Sequence, residues 1–133
     1  MLITREIDYA VRIVRILSQG GKKTIGDICQ EELIPRQFSY KILKKLEKGG
    51  LVKIFQGAGG GYALIVDTKD TTLFDIVTSI NPELVLNDCL SHGYNCPLNE
   101  KGGKLCGVHV ELDRIQTLIF GHFKEKPLSE IFS

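Results

Sequence analysis

The stretch PRQFSYKILKKLEKGGLVKIFQGAGGGYALIV, residues 35–66, decides the fold of this chain of 133 residues. Its first half predicts a helix over about 35–48, because Pro35 suits the first helical position, where an N–H has no partner within the helix. Gly49 and Gly50 are predicted to end the helix, since glycine commonly follows the last helical turn. The predicted buried stripe consists of four apolar residues at helical spacing, Phe38, Ile42, Leu43 and Leu46.

A β-hairpin, or wing, is predicted directly after this helix, over about 51–66. The segments LVKIF and YALIV have the β-branched and aromatic content of strands, and QGAGGG between them has the composition of a turn. The glycines do not match a phosphate-binding loop, because that loop needs Gly-Lys-Ser/Thr at the start of a helix. Here a strand follows the glycines, so a hairpin is the better interpretation.

Two further helices are predicted upstream. An apolar helical repeat follows the N-cap Thr4, and Thr24 begins a short second helix with Asp27 in position for a capping box. The tight connection Leu33-Ile34 joins this second helix to the basic one, as in a helix-turn-helix. Residues 1–80 are therefore predicted to form one winged helix-turn-helix domain.

Charge is distributed unevenly along the chain. Residues 1–64 carry eleven Lys/Arg and six Asp/Glu, a net +5, whereas residues 65–133 carry a net −4. A basic half joined to an acidic half predicts that the first half binds a polyanion. Arg and Lys neutralise phosphates, and polar side chains near the start of a recognition helix reach base edges. The residues expected to contact DNA are Arg36, Gln37, Tyr40, Lys41, Lys44, Gly59 and Gly60.

The acidic half contains DCLSHGYNCPLNEKGGKLCGVH, residues 88–109, with three of the four cysteines. Its glycines and proline predict a loop, and a long loop in a compact domain is most often functional. Cys89, Cys96 and Cys106 are spaced C-x6-C-x9-C and predict a metal or metal–sulfur centre, because thiolates suit zinc and iron–sulfur clusters alike. Structural zinc sites usually have closely paired cysteines, which this stretch lacks. Residues 81–107, called the cysteine loop below, are the predicted sensor segment.

Residues 108–133 predict a last long helix and a short tail. Apolar residues recur at 108, 112, 115 and 119, and Leu118, Phe120 and Phe123 widen the band. A band this wide, late in a small domain, favours packing against a second subunit, so we expect a homodimer. A helix buried entirely within one subunit is the alternative.

The composition limits the class of protein. With 43% hydrophobic and 25% charged residues, the chain matches soluble globular proteins. No apolar run is long enough to span a bilayer, and the N-terminal segment is unlike a signal peptide, so we expect a cytoplasmic location. Cysteines there are more often ligands or thiols than disulfides. No nucleophile–base or carboxylate pair stands out, so an enzyme is not expected.

The sequence resembles the Rrf2 family of bacterial winged-helix regulators. The resemblance covers nearly the whole chain and rests on LITREIDYAVRIVRIL, IGDIC, IPRQFSYKILKKL, GLVKIFQGAGGGYAL, TLFDIV and the three cysteines before a long helix. It implies a homodimer that binds a pseudo-palindromic operator in double-stranded DNA. In many members it also implies an iron–sulfur cluster, 2Fe–2S or 4Fe–4S, held by the cysteines.

The resemblance also implies candidates for a fourth ligand. His109 matches the histidine ligand of the branch that controls iron–sulfur assembly. Asp8 matches the acidic residue that reaches the cluster from the partner subunit in the nitric-oxide-sensing branch. His92, three residues after Cys89, is a further option that the family does not support.

Two departures from the family pattern change the expectations. The family's wing usually carries arginine before the first glycine and a basic or polar residue after the tyrosine, whereas this chain has Gln56 and Ala63. We therefore expect this wing to bind DNA more weakly. The cysteine spacing is also wider than in cluster-binding members, and the extra residues NEKGGK, at 99–104, are expected to bulge outward.

Together these patterns predict a mainly α protein with a small β-hairpin wing, built as a winged helix-turn-helix domain, a cysteine loop and a dimerisation helix. We expect a dimeric regulator that senses redox state, nitric oxide or iron–sulfur status through a cluster. The alternative is a regulator that uses the cysteines as a thiol switch or zinc site. A third hypothesis is an adaptor whose winged helix binds protein.

Overall fold

The computed structural model describes residues 2–98 and 106–133. In this part of the chain the predicted mainly α fold with a β-hairpin wing is confirmed. The helices are α1 (Arg5–Leu17), α2 (Ile25–Glu32), α3 (Arg36–Lys48), α4 (Leu73–Ile80), α5 (Gly107–Phe123) and the short α6 (Leu128–Ile131), and a 3₁₀ turn covers Asp88–Leu90. The strands are β1 (Val52–Phe55) and β2 (Gly61–Leu64). None of the helices in the described ranges has the length and apolarity that a bilayer crossing requires.

Helix α1 lies at the centre of the head, the name used here for residues 2–80. Its start is capped as predicted, because Thr4 Oγ1 accepts the backbone N–H of Ile7 at 3.3 Å. The helix packs against α2, α3 and α4. Its buried residues are Ile7, Ala10, Ile13, Val14, Ile16 and Leu17. Since burial of an aliphatic side chain contributes about 1.5–3 kcal/mol of transfer free energy, α1 anchors the head.

Helices α2 and α3 form the predicted helix-turn-helix. Thr24 and Asp27 make a capping box, in which each side chain accepts the other residue's backbone N–H, at 3.1 and 3.2 Å. The hydrogen bond from the Thr24 N–H, with a further contribution from the Thr24 side chain, holds the pKa of the Asp27 carboxyl below its ordinary value. Helix α2 ends at Glu32, and its C-cap Leu33 has a left-handed backbone, with φ of 54°, that redirects the chain into α3.

Helix α3 differs from the prediction in its start and in its buried stripe. Pro35 is the extended N-cap rather than the first helical residue, and its carbonyl accepts the Phe38 N–H at 3.2 Å. Phe38 is 49% exposed, whereas its neighbour Ser39 is fully buried. Ser39 is tolerated there because its hydroxyl donates to the Pro35 carbonyl at 3.2 Å. The stripe that faces the core is therefore residues 39, 42, 43 and 46.

The wing follows α3 as predicted, with Val52 opposite Leu64 in an antiparallel pair of strands. Its outer edge is extended by Lys23, which exchanges two backbone hydrogen bonds of 2.9 Å with Tyr62. No local pattern predicts this pairing, because the two residues lie on separate elements. The wing is thereby fixed to the start of α2.

The C-terminal tail returns to the head. Leu128 is fully buried in the core, and its N–H donates to the Thr71 carbonyl at 2.8 Å. Next to it, α4 begins after the N-cap Thr72, whose N–H donates to the Asp75 carboxylate at 2.8 Å. Helix α5 therefore connects the cysteine loop at one end with a segment docked on the head at the other.

Candidate nucleic-acid interface and cysteine site

The outer face of α3 is polar and basic. Its inward stripe begins at Ser39, so five of the predicted DNA contacts, Arg36, Gln37, Tyr40, Lys41 and Lys44, are all exposed. Lys45 is different, because its ammonium pairs with the Glu6 carboxylate at 2.6 Å and helps to hold α3 against α1. The exposed set therefore provides both cations for phosphates and polar groups for base edges.

The wing turn, residues 56–60, joins β1 to β2 and contains the other two predicted contacts. Gly59 is exposed and has a φ of 74°, a conformation that favours glycine. Gly60 is half-buried, and a Cβ at this position would lie 2.5 Å from the Phe55 carbonyl oxygen. Gly60 is thus required by the shape of the turn, whether or not it touches a ligand.

Two lysines near the wing turn were absent from the predicted site, Lys22 before α2 and Lys53 in β1. Lys22 Nζ donates to the Gly59 carbonyl at 2.7 Å and lies 5.0 Å from the centre of the Phe55 ring. Lys53 Nζ lies 5.2 Å from the same ring. The adjacent Lys22 and Lys23 before α2 were a visible signal in the sequence, but their distance from the wing in the chain concealed their location.

A cleft of about 410 Å³ separates α3 from the wing. Tyr40 and Lys44 line it from the helix, and Gln56 and Tyr62 line it from the wing. Partial burial raises the pKa of Tyr62, with smaller contributions from Tyr40 and Cys29. Its phenol therefore stays protonated and can donate a hydrogen bond at neutral pH.

The cysteine loop forms a second pocket, of about 440 Å³, at the N-terminal end of α5. We call this the cysteine pocket, and it is lined by Cys89, Cys96, Cys106, His109, Asn87, Asp88, Tyr94, Leu98 and Val108. Cys89 lies in the 3₁₀ turn, and Cys106 is the N-cap of α5. All three cysteines are half-buried and unpaired. The positive end of the α5 dipole favours a negatively charged group in this pocket.

The donors in the cysteine pocket do not converge on a single point. Within residues 2–98 and 106–133, no three His, Cys, Asp or Glu side chains are close enough to hold one metal ion. A tetrahedral zinc site would need sulfurs roughly 3.8 Å apart, given zinc–sulfur bonds of about 2.3 Å. The arrangement therefore differs from a preformed zinc site.

Two side-chain amides support the loop. Asn87 Nδ2 donates to Cys89 Sγ at 3.4 Å, and hydrogen bonds of this kind tune metal–sulfur centres. The Leu86 N–H donates to Gln116 Oε1 at 2.8 Å, which connects the start of the loop to the middle of α5. This bond holds the start of the loop against the long helix. Neither amide was singled out in the sequence, since Asn87 lies just before the cysteine motif and Gln116 lies 30 residues from its partner Leu86.

The candidates for a fourth ligand lie in three different environments. His109 lines the cysteine pocket of its own chain. Asp8 lies on α1 outside that pocket and pairs with Arg12 at 2.9 Å. His92 is exposed and does not line the pocket. The predicted outward bulge of 99–104 lies outside the described residues.

Cys29 belongs to the head rather than to the cysteine pocket. Its sulfur lies 3.4 Å from the Ser39 hydroxyl, between α2 and α3. At this half-buried position Cys29 packs as a small side chain between the two helices.

A helix-turn-helix with a wing, an exposed basic recognition helix and a following long helix defines a winged-helix regulator. A model of the Rrf2 family, described as an iron-dependent transcriptional regulator, matches residues 3–133, and the chain belongs to this family. Relatives from Haemophilus influenzae and Vibrio cholerae are named as HTH-type transcriptional regulators, in agreement with the predicted non-enzymatic role.

Individual relatives and a solved structure agree with this assignment. The protein aau3 of Rhizobium meliloti is 29% identical over 123 residues, which cover 90% of this chain and 77% of that protein. The transcriptional regulator IscR of Vibrio cholerae is 28% identical over 113 residues, or 83% and 62% of the two chains. The structure of CymR, the global cysteine regulator of B. subtilis, superposes with a TM-score of 0.72 at 19% identity, covering 98% and 95% of the two chains. At this identity the superposition supports the shared fold.

Proposed function

We propose that the protein is a cytoplasmic, homodimeric DNA-binding regulator whose iron–sulfur cluster is held by Cys89, Cys96 and Cys106. The observation that carries the proposal is the cysteine pocket, because it brings these three thiols and His109 together at the end of the helix that leads back to the head. The family's description as iron-dependent supports the choice of iron. The signal would be redox state, nitric oxide or iron–sulfur supply.

The DNA-binding part of the proposal rests on the exposed face of α3. Arg36 and Gln37 lie in the first turn of the recognition helix, where side chains reach base edges in the major groove. Lys41 and Lys44 lie further along and are suited to phosphates. Two heads related by a two-fold axis would read half-sites about 34 Å apart, which makes the operator pseudo-palindromic.

This part is tested by measuring binding to operator DNA and to mixed-sequence DNA. Arg36→Ala should cost about 1–3 kcal/mol of discrimination between them, whereas Lys41→Ala should weaken both alike and reduce the salt slope by about 1. Lys69→Ala, which changes an exposed lysine in the polar turn before α4, is the control. If neither α3 variant changes DNA binding, the winged helix binds another partner, as in the adaptor hypothesis.

The chemistry of the pocket suits a cluster better than a single ion. In a 4Fe–4S cluster each cysteine ligates its own iron, and in a 2Fe–2S cluster two ligands share each iron, so in both cases the ligands surround the group rather than all meet at one metal ion. The three thiols and His109 line one pocket of about 440 Å³, an arrangement compatible with this requirement. When bound, the cluster would supply iron that can react with nitric oxide or oxygen and can gain or lose an electron. The apolar side chains of Tyr94, Leu98 and Val108 would limit the access of water to it.

The fourth ligand is proposed to be His109, with Asp8 of the partner subunit as the alternative. His109 already lines the pocket and needs no second chain. Asp8 would have to share its carboxylate with Arg12 or release it, since the two groups form an ion pair at 2.9 Å. A nitrogen or oxygen ligand leaves one iron more labile than a complete set of thiolates would.

The sensing part is tested by purifying the full chain without oxygen and measuring iron, sulfide and the visible absorption. Cys89→Ala should lose the absorption band, and Cys29→Ala, which removes a cysteine outside the pocket, should keep it. His109→Ala should alter the spectrum, whereas His92→Ala should not. Asp8→Ala should alter the spectrum if the fourth ligand is instead Asp8 of the partner subunit.

A thiol switch or zinc site remains the second proposal, because the same pocket gathers three unpaired thiols. If the protein is metal-free and colourless, binds its operator and loses this binding reversibly on mild oxidation, the cysteines act as a thiol switch rather than as cluster ligands. If the purified protein contains stoichiometric zinc and no sulfide, the cysteines form a zinc site. Either result would leave the DNA-binding part intact.

A further inference from the structure

The turn before α2 carries a lysine whose ammonium reaches the wing. Lys22 Nζ lies 2.7 Å from the Gly59 carbonyl oxygen, to which it donates a hydrogen bond, and stacks over the Phe55 ring at 5.0 Å. The ring also faces the ammonium of Lys53, at 5.2 Å. Lys22 is exposed, so its charge is held at the surface of the wing turn.

The wing turn itself lacks charge. Its residues, QGAGG at 56–60, provide backbone groups and one neutral amide. A turn of this kind can approach a nucleic acid closely but cannot neutralise a phosphate. The ammonium of Lys22 supplies that charge from another element, at a position fixed by Gly59 and Phe55.

We propose that Lys22 binds a DNA phosphate and makes the turn before α2 a third DNA-contacting element, beside α3 and the wing. An ammonium has three N–H donors, and the Gly59 carbonyl takes one of them. The remaining donors are available to a phosphate oxygen next to the wing. Gly59 and Phe55 position the charge, which reduces the side-chain entropy lost when the phosphate binds. This inference rests on the proposed DNA binding.

The competing explanation is that Lys22 is a strut that stabilises the wing and touches no DNA. The two roles differ in what they require of the side chain. A phosphate contact requires the positive charge, whereas a strut requires a donor for the Gly59 carbonyl. Lys22→Gln separates them, because its amide retains a donor without the charge.

The experiment measures the affinity of the full-length protein for a mixed-sequence DNA duplex over a series of salt concentrations. Lys22→Ala and Lys22→Gln should both weaken binding and make the slope of log K against log salt shallower by about 0.9, the effect of one lost phosphate contact. Lys22→Arg should restore the wild-type slope. The matched control is Lys124→Ala, since Lys124 also stacks on a ring, that of Phe74 at 4.3 Å, but at the end of α5.

The outcomes separate this inference from the proposed function. If Lys41→Ala changes the slope and Lys22→Ala does not, DNA binding stands and the role of Lys22 is overturned. A Lys22→Gln variant that keeps the wild-type slope while Lys22→Ala loses affinity identifies a strut and also overturns it. If the wild-type protein does not bind the duplex, the proposed function fails first. Thermal unfolding of each variant establishes that the head is folded.

Discussion

At the scale of single residues, Leu33 has a strained backbone conformation. Among the described residues it is the only non-glycine residue with a positive φ, 54°, and it is 80% exposed. The left-handed conformation costs a non-glycine residue about 1–2 kcal/mol, and this side chain regains little by burial. The strain is tolerated because the helix-turn-helix needs a sharp change of direction here.

Leu33→Asn should therefore stabilise the protein by about 1 kcal/mol, because asparagine adopts the left-handed conformation at lower cost. The measurement is urea unfolding, in which the midpoint should rise without a change in slope. Ile65→Asn is the control, since Ile65 is another exposed apolar residue and its φ is negative. Equal changes in both variants would mean that loss of an exposed apolar group, rather than relief of strain, causes the effect.

Phe38 and Ser39 show where residue-level prediction from the sequence has its limit. A helical wheel ranks Phe38 as the more apolar residue and assigns it to the core. The phase of α3 is instead set by Ile42, Leu43 and Leu46, and their stripe continues to Ser39. The hydrogen bond to Pro35 makes burial of this serine inexpensive, and the wheel contains no information about that bond.

At the scale of elements, Gln116 connects the cysteine loop with α5. Its side chain accepts the Leu86 N–H at 2.8 Å, where both residues are half-buried. Further along, Phe120 of α5 packs on Phe74 of α4, with ring centres 5.5 Å apart. A path of direct contacts thus runs from the loop through α5 to the head.

Gln116→Leu should release the start of the loop, because the Leu86 N–H would lose its acceptor. The local cost should be about 1 kcal/mol, the lower end of the range for an unsatisfied buried donor, because the Leu86 N–H is only half-buried. Hydrogen exchange at the Leu86 amide should accelerate, while amides of α1 remain protected. Gln116→Glu retains an acceptor and should preserve the protection; equally fast exchange in both variants would contradict the role assigned to this bond.

At the scale of the whole molecule, the described residues of the same chain cover α5 only in part. None of its seventeen described residues is fully buried, and the apolar Val108, Val110 and Leu118 are exposed. The inner side of α5 packs on α4. An exposed apolar band on a long helix is typical of a subunit interface, which supports the proposed homodimer.

Leu118→Lys should convert the dimer to a monomer, since Leu118 is 52% exposed in the isolated chain and a buried lysine at an interface is costly. Light scattering should give about twice the chain mass of 14.8 kDa for the wild-type protein and 14.8 kDa for the variant. Operator affinity should fall because two linked heads are required. Asp113→Lys, at another exposed position of α5, should remain dimeric. A wild-type mass of 14.8 kDa would refute the dimer.

The sequence by itself determined the features that are encoded within a few residues. The caps at Thr4 and Thr24, the end of α3 at Gly49 and the hairpin with its glycine turn were all predictable. Each depends on hydrogen bonds and backbone preferences between neighbours in the chain. The family could be recognised for the same reason, because its motifs are continuous stretches.

Only the tertiary structure decided which distant residues meet. It brought Lys22 to Gly59, Gln116 to Leu86, Leu128 into the core, and the three cysteines and His109 around one pocket. These contacts depend on how whole elements pack, and packing is set by the combined burial of side chains from α1, α3 and α4. Spacing along the chain contains no direct record of that packing, which is why the pocket and the lysine at the wing emerged from the fold.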